Sequence, residues 1–407
     1  MSAYEPSITG RDHLAIPGPS VVPDRVLRAM HRAAPNIYGS DLSELTSQVL
    51  RDLKRLANCT SDVAMYIGNG HALWEAALCN TLSRGDRVLA LVNGRFGRNW
   101  AAMAKQLQID VEVLDFGDEL PVDPEQVKAT LKADSTHSYK AVLVVQTDTS
   151  TSVSNDVESI GQAIEASGHP ALYLVDCIAS FCSEPFDMQS SHADVMVAGS
   201  QKGLMCPPGV GVVFLSERGW AAHATAGLNT PYWNWGMRSR PEEYWQHFFG
   251  TAPTHHLFAL QEALTMLDEE GLQTVWARHR TLAGMVWQAV DCWSQAGNVH
   301  FQIGNAEHRS TAVTTLRVPE GKAKALRDWA ENALGVTLGV GMPFSGSGPA
   351  PADDRFRIGH MGHLNAPMLL GTLGAIDAAL KALNIPHGHN AMENVCQYLA
   401  REHALVD

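Results

Sequence analysis

Positive charge is the scarcer sign in this sequence. Lys and Arg number 30 against 43 Asp and Glu, for a formal net charge of −13. Nucleic-acid binding draws its affinity from cations that displace counterions, so this balance excludes a general nucleic-acid binder. Long apolar runs are also missing. No stretch of about 18 uncharged apolar residues occurs, which excludes a helical membrane span. The opening MSAYEPSITGRDHLAIPGP lacks the basic start and apolar block of a secretory leader, so the expected location is the cytoplasm. Cysteine is sparse, seven in 407 residues with no CxxC pair, which favours reduced thiols over a disulfide framework. The 18 histidines form no HExxH and no spacing that gathers with carboxylates, so no metal is expected. What remains is 45% apolar and 18% charged, an ordinary globular composition with enough apolar surface to offset ordering entropy.

The middle of the chain alternates strand-like and helix-like patterns. Apolar runs at 88–92, 140–145 and 171–175, with 109–114, 194–198 and 211–215, read as strands. Runs that are apolar on both faces suit a buried parallel sheet. Helical patterns at 72–82, 99–107, 124–131 and 157–165 lie between them, and Pro124 suits a helix start. This alternation predicts an α/β fold, a mostly parallel sheet with flanking helices. A long helical stretch follows Thr254. A strand at 311–318, a helix at 321–334, a strand at 355–358 and a helix at 367–383 then predict a small C-terminal α+β domain. The segment 348–354, GPAPADD, reads as a turn.

Two places point to chemistry. Asp176 ends one predicted strand, and Lys202 follows another. Ligands of open α/β sheets collect at the carboxyl ends of strands. Lys202 sits among small and apolar residues (Gly199, Ser200, Gly203, Leu204, Met205), a setting that desolvates an amine and favours a nucleophilic role. Spacing alone favours an ordinary ion pair or two unrelated surface groups. The second place is GNGHALWEAAL, residues 68–78, where a glycine-rich turn opens a helix. Free N–H groups and the helix dipole make such a start an anion site, or a plain helix N-terminus.

Five segments together carry a resemblance. They are PGPSVVPDRVLRAM, GNGHALWEAALCNTLSRGD, the strand-ending Asp176, GSQKGLMCPPG and FRIGHMGHLN. The chain resembles the class V aminotransferases of fold type I, pyridoxal-phosphate enzymes, and within them the alanine–, serine– and aspartate–glyoxylate aminotransferases. Gln201 stands where cysteine desulfurases of the same fold carry His. The resemblance implies an N-terminal arm over 1–20, a large cofactor-binding domain over 21–285 and a small domain over 286–407. It implies that Lys202 forms the Schiff base with pyridoxal 5'-phosphate and then carries the proton between the substrate Cα and the cofactor. Asp176 would pair with the pyridine nitrogen and keep the ring an electron sink. Gly70, His71 and Gln201 would bind the phosphate, Phe96 would stack on the ring, and Thr149 would lie near its hydroxyl. Thr251 would reach the phosphate of a neighbouring subunit, which implies a homodimer with shared sites. Arg357 would hold the substrate carboxylate through its bidentate fork, although strand alternation alone turns it outward.

The departures fall on the substrate side. Relatives carry a His-Arg pair where NIYGSDL, residues 36–42, places Ile37 and Tyr38, so Tyr38 becomes a candidate substrate contact. Asn69 replaces Ser or Thr, Ser152 replaces Gly, and Phe248 replaces a phosphate-binding Tyr. The expected reaction moves an amino group from alanine, serine or aspartate to glyoxylate or a similar 2-oxo acid. Pyridoxamine–pyruvate aminotransferases form one alternative, recognised by Tyr38 and the Asp148-Thr149 pair but carrying an acid at the place of Asn69. A lyase on the same scaffold and a non-catalytic α/β binding protein are the others.

Overall fold

The computed structural model describes residues 10–344 and 352–402. Among these, a seven-stranded sheet runs in the order Asp62–Gly68, Gly209–Leu215, Val195–Gly199, Leu172–Asp176, Tyr139–Val145, Arg87–Val92 and Asp110–Asp115. The last five are mutually parallel. Gly209–Leu215 runs antiparallel to both its neighbours. Period-two alternation sends successive residues to opposite faces. Val142, Val144, Tyr173, Val175, Met196 and Ala198 enter one apolar core. Ala141, Leu143, Val145, Leu174, Val195 and Val197 enter another. Burial on both faces is why these strands are continuous apolar runs.

The predicted strands of this sheet lie within two residues of their expected bounds. Its first strand, Asp62–Gly68, and the helix Ser40–Leu56 were not predicted. That helix nonetheless carries a legible signal, since Leu42, Thr46, Val49, Leu53 and Leu56 recur at helical spacing and are buried.

A second sheet runs in the order His13–Ala15, Val336–Gly341, Ala352–Gly359, Val313–Arg317 and His300–Phe301. It packs on its own core, which includes Val286, Val290, Trp293, Leu326, Phe356, Leu373 and Ile376. One expectation changes here. Of the turn expected at 348–354, residues 348–351 lie outside the described residues, while Ala352, Asp353 and Asp354 open a strand. Pairing of Ala352 with Gly341 and the Val318 N–H donated to the Asp354 carbonyl at 2.8 Å override the local breaker signals. The N-terminal arm is stitched into this sheet, since His13, Leu14 and Ala15 pair in parallel with Val336, Thr337 and Leu338. The helix Leu272–Trp293 runs unbroken through positions 285 and 286.

Candidate active site

Parallel strands deliver their last residues to one edge. Asp176 ends its strand beside Val145, the end of the next one, and Gly199 leads directly into Ser200, Gln201 and Lys202. A cavity of about 170 Å³ opens at this edge. Gly70, His71, Phe96, Thr149, Asp176, Gln201 and Lys202 all line it, as do Asn69, Trp74, Thr147, Ile178 and others. A more open cleft of about 840 Å³ elsewhere holds none of the predicted site residues.

Asp176 is 3% exposed. Its Oδ1 accepts from the Ile178 N–H at 2.7 Å, and its Oδ2 accepts from the Trp74 indole N–H at 2.8 Å. Burial raises its pKa to about 7 against the pull of these two donors. Lys202 moves the opposite way. Burial, aided by the nearby Arg357, lowers its pKa to about 8. The same cause, removal from water, thus moves both groups toward their neutral forms.

The lysine loop is fixed from three sides. The Lys202 Nζ donates to the Pro17 carbonyl, and the Ser20 hydroxyl donates to the Lys202 carbonyl at 2.7 Å. Ser20 N–H donates to the Gln201 carbonyl at 2.9 Å. Gly18 has φ +96°, and a Cβ there would overlap the lysine Nζ. Gly203 meets the opposite constraint, since a Cβ on it would overlap the Phe181 carbonyl oxygen. The N-terminal arm therefore covers the lysine, and only glycines allow the approach.

The phosphate-side prediction rests on the helix Gly70–Thr81. Asn69 precedes it and makes no side-chain cap, so no side chain of that residue occupies the first-turn N–H groups. Phe96 opens toward the same cavity from the first turn of the helix Arg95–Gln106. Asp148 caps that helix from a distant loop. Its carboxylate is fully buried and accepts from the Phe96 N–H at 2.8 Å and the Gly97 N–H at 3.2 Å. Sequence patterns assign Asp148 no such task, because a cap that arrives 52 residues downstream leaves no local signature.

Arg357 is buried, 4% exposed, rather than turned to solvent. Its Nε donates to the Val340 carbonyl at 2.7 Å and its Nη1 to the Thr149 carbonyl at 2.9 Å. These bonds lock the guanidinium beside the cavity-lining Thr149. Burial lowers its pKa to about 10, with Asp148 opposing. Ser152 ties the same strands together. It takes φ +67°, which explains why glycine suits this position, and its hydroxyl accepts from the Thr315 N–H at 3.0 Å. Thr315 pairs with Arg357 in register.

Arg357 stands behind Thr149 and is not itself part of the cavity lining, and two further predicted residues are not brought to the cavity within their own chain. Tyr38 is 92% exposed, and Thr251 is exposed ahead of the helix Thr254–Glu270.

The class-V aminotransferase family model matches residues 14–343. The chain belongs to that family. It is 36% identical to the serine–glyoxylate aminotransferase of Methylorubrum extorquens over 91% of each chain. It is 30% identical to the L-aspartate–glyoxylate aminotransferase of Paracoccus denitrificans over 93% of each. In fold it matches the crystal structure of pyridoxamine–pyruvate aminotransferase from Mesorhizobium loti, with a TM-score of 0.87 and 24% identity over 98% of this chain and 99% of that one. As a class-V aminotransferase this protein is a transferase, and its cofactor is pyridoxal phosphate. The cavity fits that group. The helix start at Gly70 offers uncapped N–H donors to an anion, and the lining adds an acceptor in Asp176 and an amine in Lys202.

Proposed function

We propose that this protein transfers an amino group from a small amino acid, alanine, serine or aspartate, to glyoxylate or a similar 2-oxo acid. The observation that carries the reading is the convergence of Lys202 and Asp176 on one cavity beside an uncapped helix start. Bound pyridoxal phosphate supplies the carbonyl that captures an amine and the ring that takes up the electrons released at the substrate Cα. The protein's own groups do the rest. Lys202 is the attachment point, and its depressed pKa leaves a useful fraction of neutral amine near pH 8. As a free amine, the same Nζ would take the substrate's Cα proton and return it. Asp176 would pair with the ring nitrogen, and a cation there would draw its pKa back down and keep it ionised. Gly70, His71 and Gln201 would hold the phosphate, Phe96 would lie against the ring, and Thr149 would lie near the ring's hydroxyl. Arg357 would hold the substrate carboxylate.

The relatives named serine–glyoxylate and aspartate–glyoxylate aminotransferase support glyoxylate as the acceptor. Exposure of Tyr38 at 92%, with Trp245 and Ile67 also exposed, supports a homodimer whose copies lend Tyr38 and Thr251 to each other's sites. A monomer in sedimentation would refute that sharing. Borohydride reduction of the holoenzyme is expected to fix the cofactor on the peptide containing Lys202. A donor–acceptor panel is expected to give its highest turnover with glyoxylate and one of the three amino acids. Labelling of another peptide, or turnover that needs no 2-oxo acid, would overturn the reading.

A further inference from the structure

Trp74 lies one helical turn after Gly70, so it shares the face of the helix that opens on the cavity. It is 1% exposed and lines the cavity wall. A buried tryptophan at this spacing is ordinarily core, but its indole N–H ends on Asp176 Oδ2 at 2.8 Å. The other oxygen, Oδ1, accepts from the Ile178 backbone at 2.7 Å. Among the described residues no Lys, Arg or His forms an ion pair with Asp176. Two neutral N–H groups therefore hold the carboxylate, and only one belongs to a side chain.

The indole is not free to leave. It stacks on Trp100 with centroids 6.0 Å apart and planes at 15°, and His71 covers it at 4.5 Å. A ring pinned on two sides aims its N–H along one direction. A carboxylate oxygen has two lone-pair directions, so Oδ2 can accept from the indole and still turn a lone pair to a second donor.

We propose that Trp74 is a positioning residue for the reaction, whose indole N–H fixes the plane of the Asp176 carboxylate and keeps it charged to receive the cofactor's ring nitrogen. The proposal rests on the reading of Asp176 as that nitrogen's partner. Burial favours the neutral acid, and the indole N–H opposes it, as does the backbone N–H of Ile178. The other ionisable groups around Asp176 are Asp148, Lys202, Cys177 and, on the helix of Trp74, His71.

Trp74→Phe keeps a ring in place and removes the donor. A hydrogen bond to a charged group is worth enough to move the Asp176 titration upward by about one to two pH units. In the apoprotein this is read from melting temperature against pH, for wild type, Trp74→Phe, Asp176→Asn and the double variant. Trp74→Phe is expected to shift the titration where Asp176 is intact and to have no pH-dependent effect in the Asp176→Asn background. In the holoenzyme it is expected to change the pH dependence of the visible absorption band and lower kcat more than it raises KM. Site-specific replacement by benzothienylalanine, which exchanges the N–H for sulfur in a ring of the same shape, repeats the test should the phenylalanine variant fail to fold. An unmoved titration in both Trp74 variants overturns the proposal and leaves the role of Asp176 standing. If Asp176→Asn leaves the cofactor's affinity and spectrum unchanged, the reading of Asp176 falls and the proposal falls with it.

Discussion

Asp176→Asn in the apoprotein gives the sharpest physical test of the site. The folded-state pKa of Asp176, about 7, lies above its ordinary value of 3.8. The folded chain therefore binds this proton more tightly than the unfolded chain does. The penalty for burying the carboxylate is absent below about pH 4, grows as pH rises, and is complete above about pH 7. At 1.36 kcal/mol per pH unit, a gap of about three units amounts to about 4 kcal/mol. Roughly 3 kcal/mol of it develops between pH 5 and pH 8. Asparagine carries no charge and removes this dependence. It also loses one of the two acceptor contacts to Trp74 and Ile178, a loss of about 1–3 kcal/mol that does not vary with pH. The difference between the variant and wild type therefore shifts in favour of the variant by about 3 kcal/mol from pH 5 to pH 8. For a chain of this length that is a change of about 3 °C in the melting-temperature gap, read by calorimetry of cofactor-stripped protein. A gap that stays constant with pH, or narrows in the other direction, would refute the electrostatic reading of Asp176.

Gly18→Ala is expected to strain a left-handed backbone by roughly 1–2 kcal/mol and to push Lys202 off its rest position, so borohydride labelling of that lysine should drop while the fold persists. Arg357→Lys replaces a planar fork by a point charge, and KM for both amino and 2-oxo acid should rise about ten- to a hundredfold with the cofactor spectrum intact. An unchanged KM removes Arg357 from substrate binding. Ser152→Ala leaves the buried Thr315 N–H without its acceptor, and urea denaturation should report a loss of about 1–3 kcal/mol.

The sheet was legible because its strands are apolar on both faces, and a run such as KAVLVV has few other readings. Strand ends drew attention to Lys202 and Asp176, the resemblance carried by GSQKG singled them out, and the structure brings both to one cavity. The helix Ser40–Leu56 was readable from its spacing alone. Trp74 was hidden, since a tryptophan on an apolar helix face looks like packing until its N–H is seen to end on a carboxylate 102 residues away. Arg357 looked exposed because alternation describes one sheet and says nothing of what covers it. In the structure Thr149 and Val340 supply the carbonyls that make its burial tolerable. Ala352–Asp354 became strand for the same reason, since a partner's edge outweighs local turn chemistry. Tyr38 and Thr251 entered only through the resemblance, and in the structure both are exposed and away from the cavity.

The arm that covers Lys202 is anchored by a strand whose partner begins at Val336. A ribosome releases His13 long before that partner emerges. The nascent chain can lay down its large sheet early, with Ser20 bonding the arm to the lysine loop, yet the arm lacks its strand partner until the C-terminal sheet is made. The cover over Lys202 is thus completed only at the end of synthesis, and a product truncated before Val336 would hold the arm by its Ser20 bonds alone.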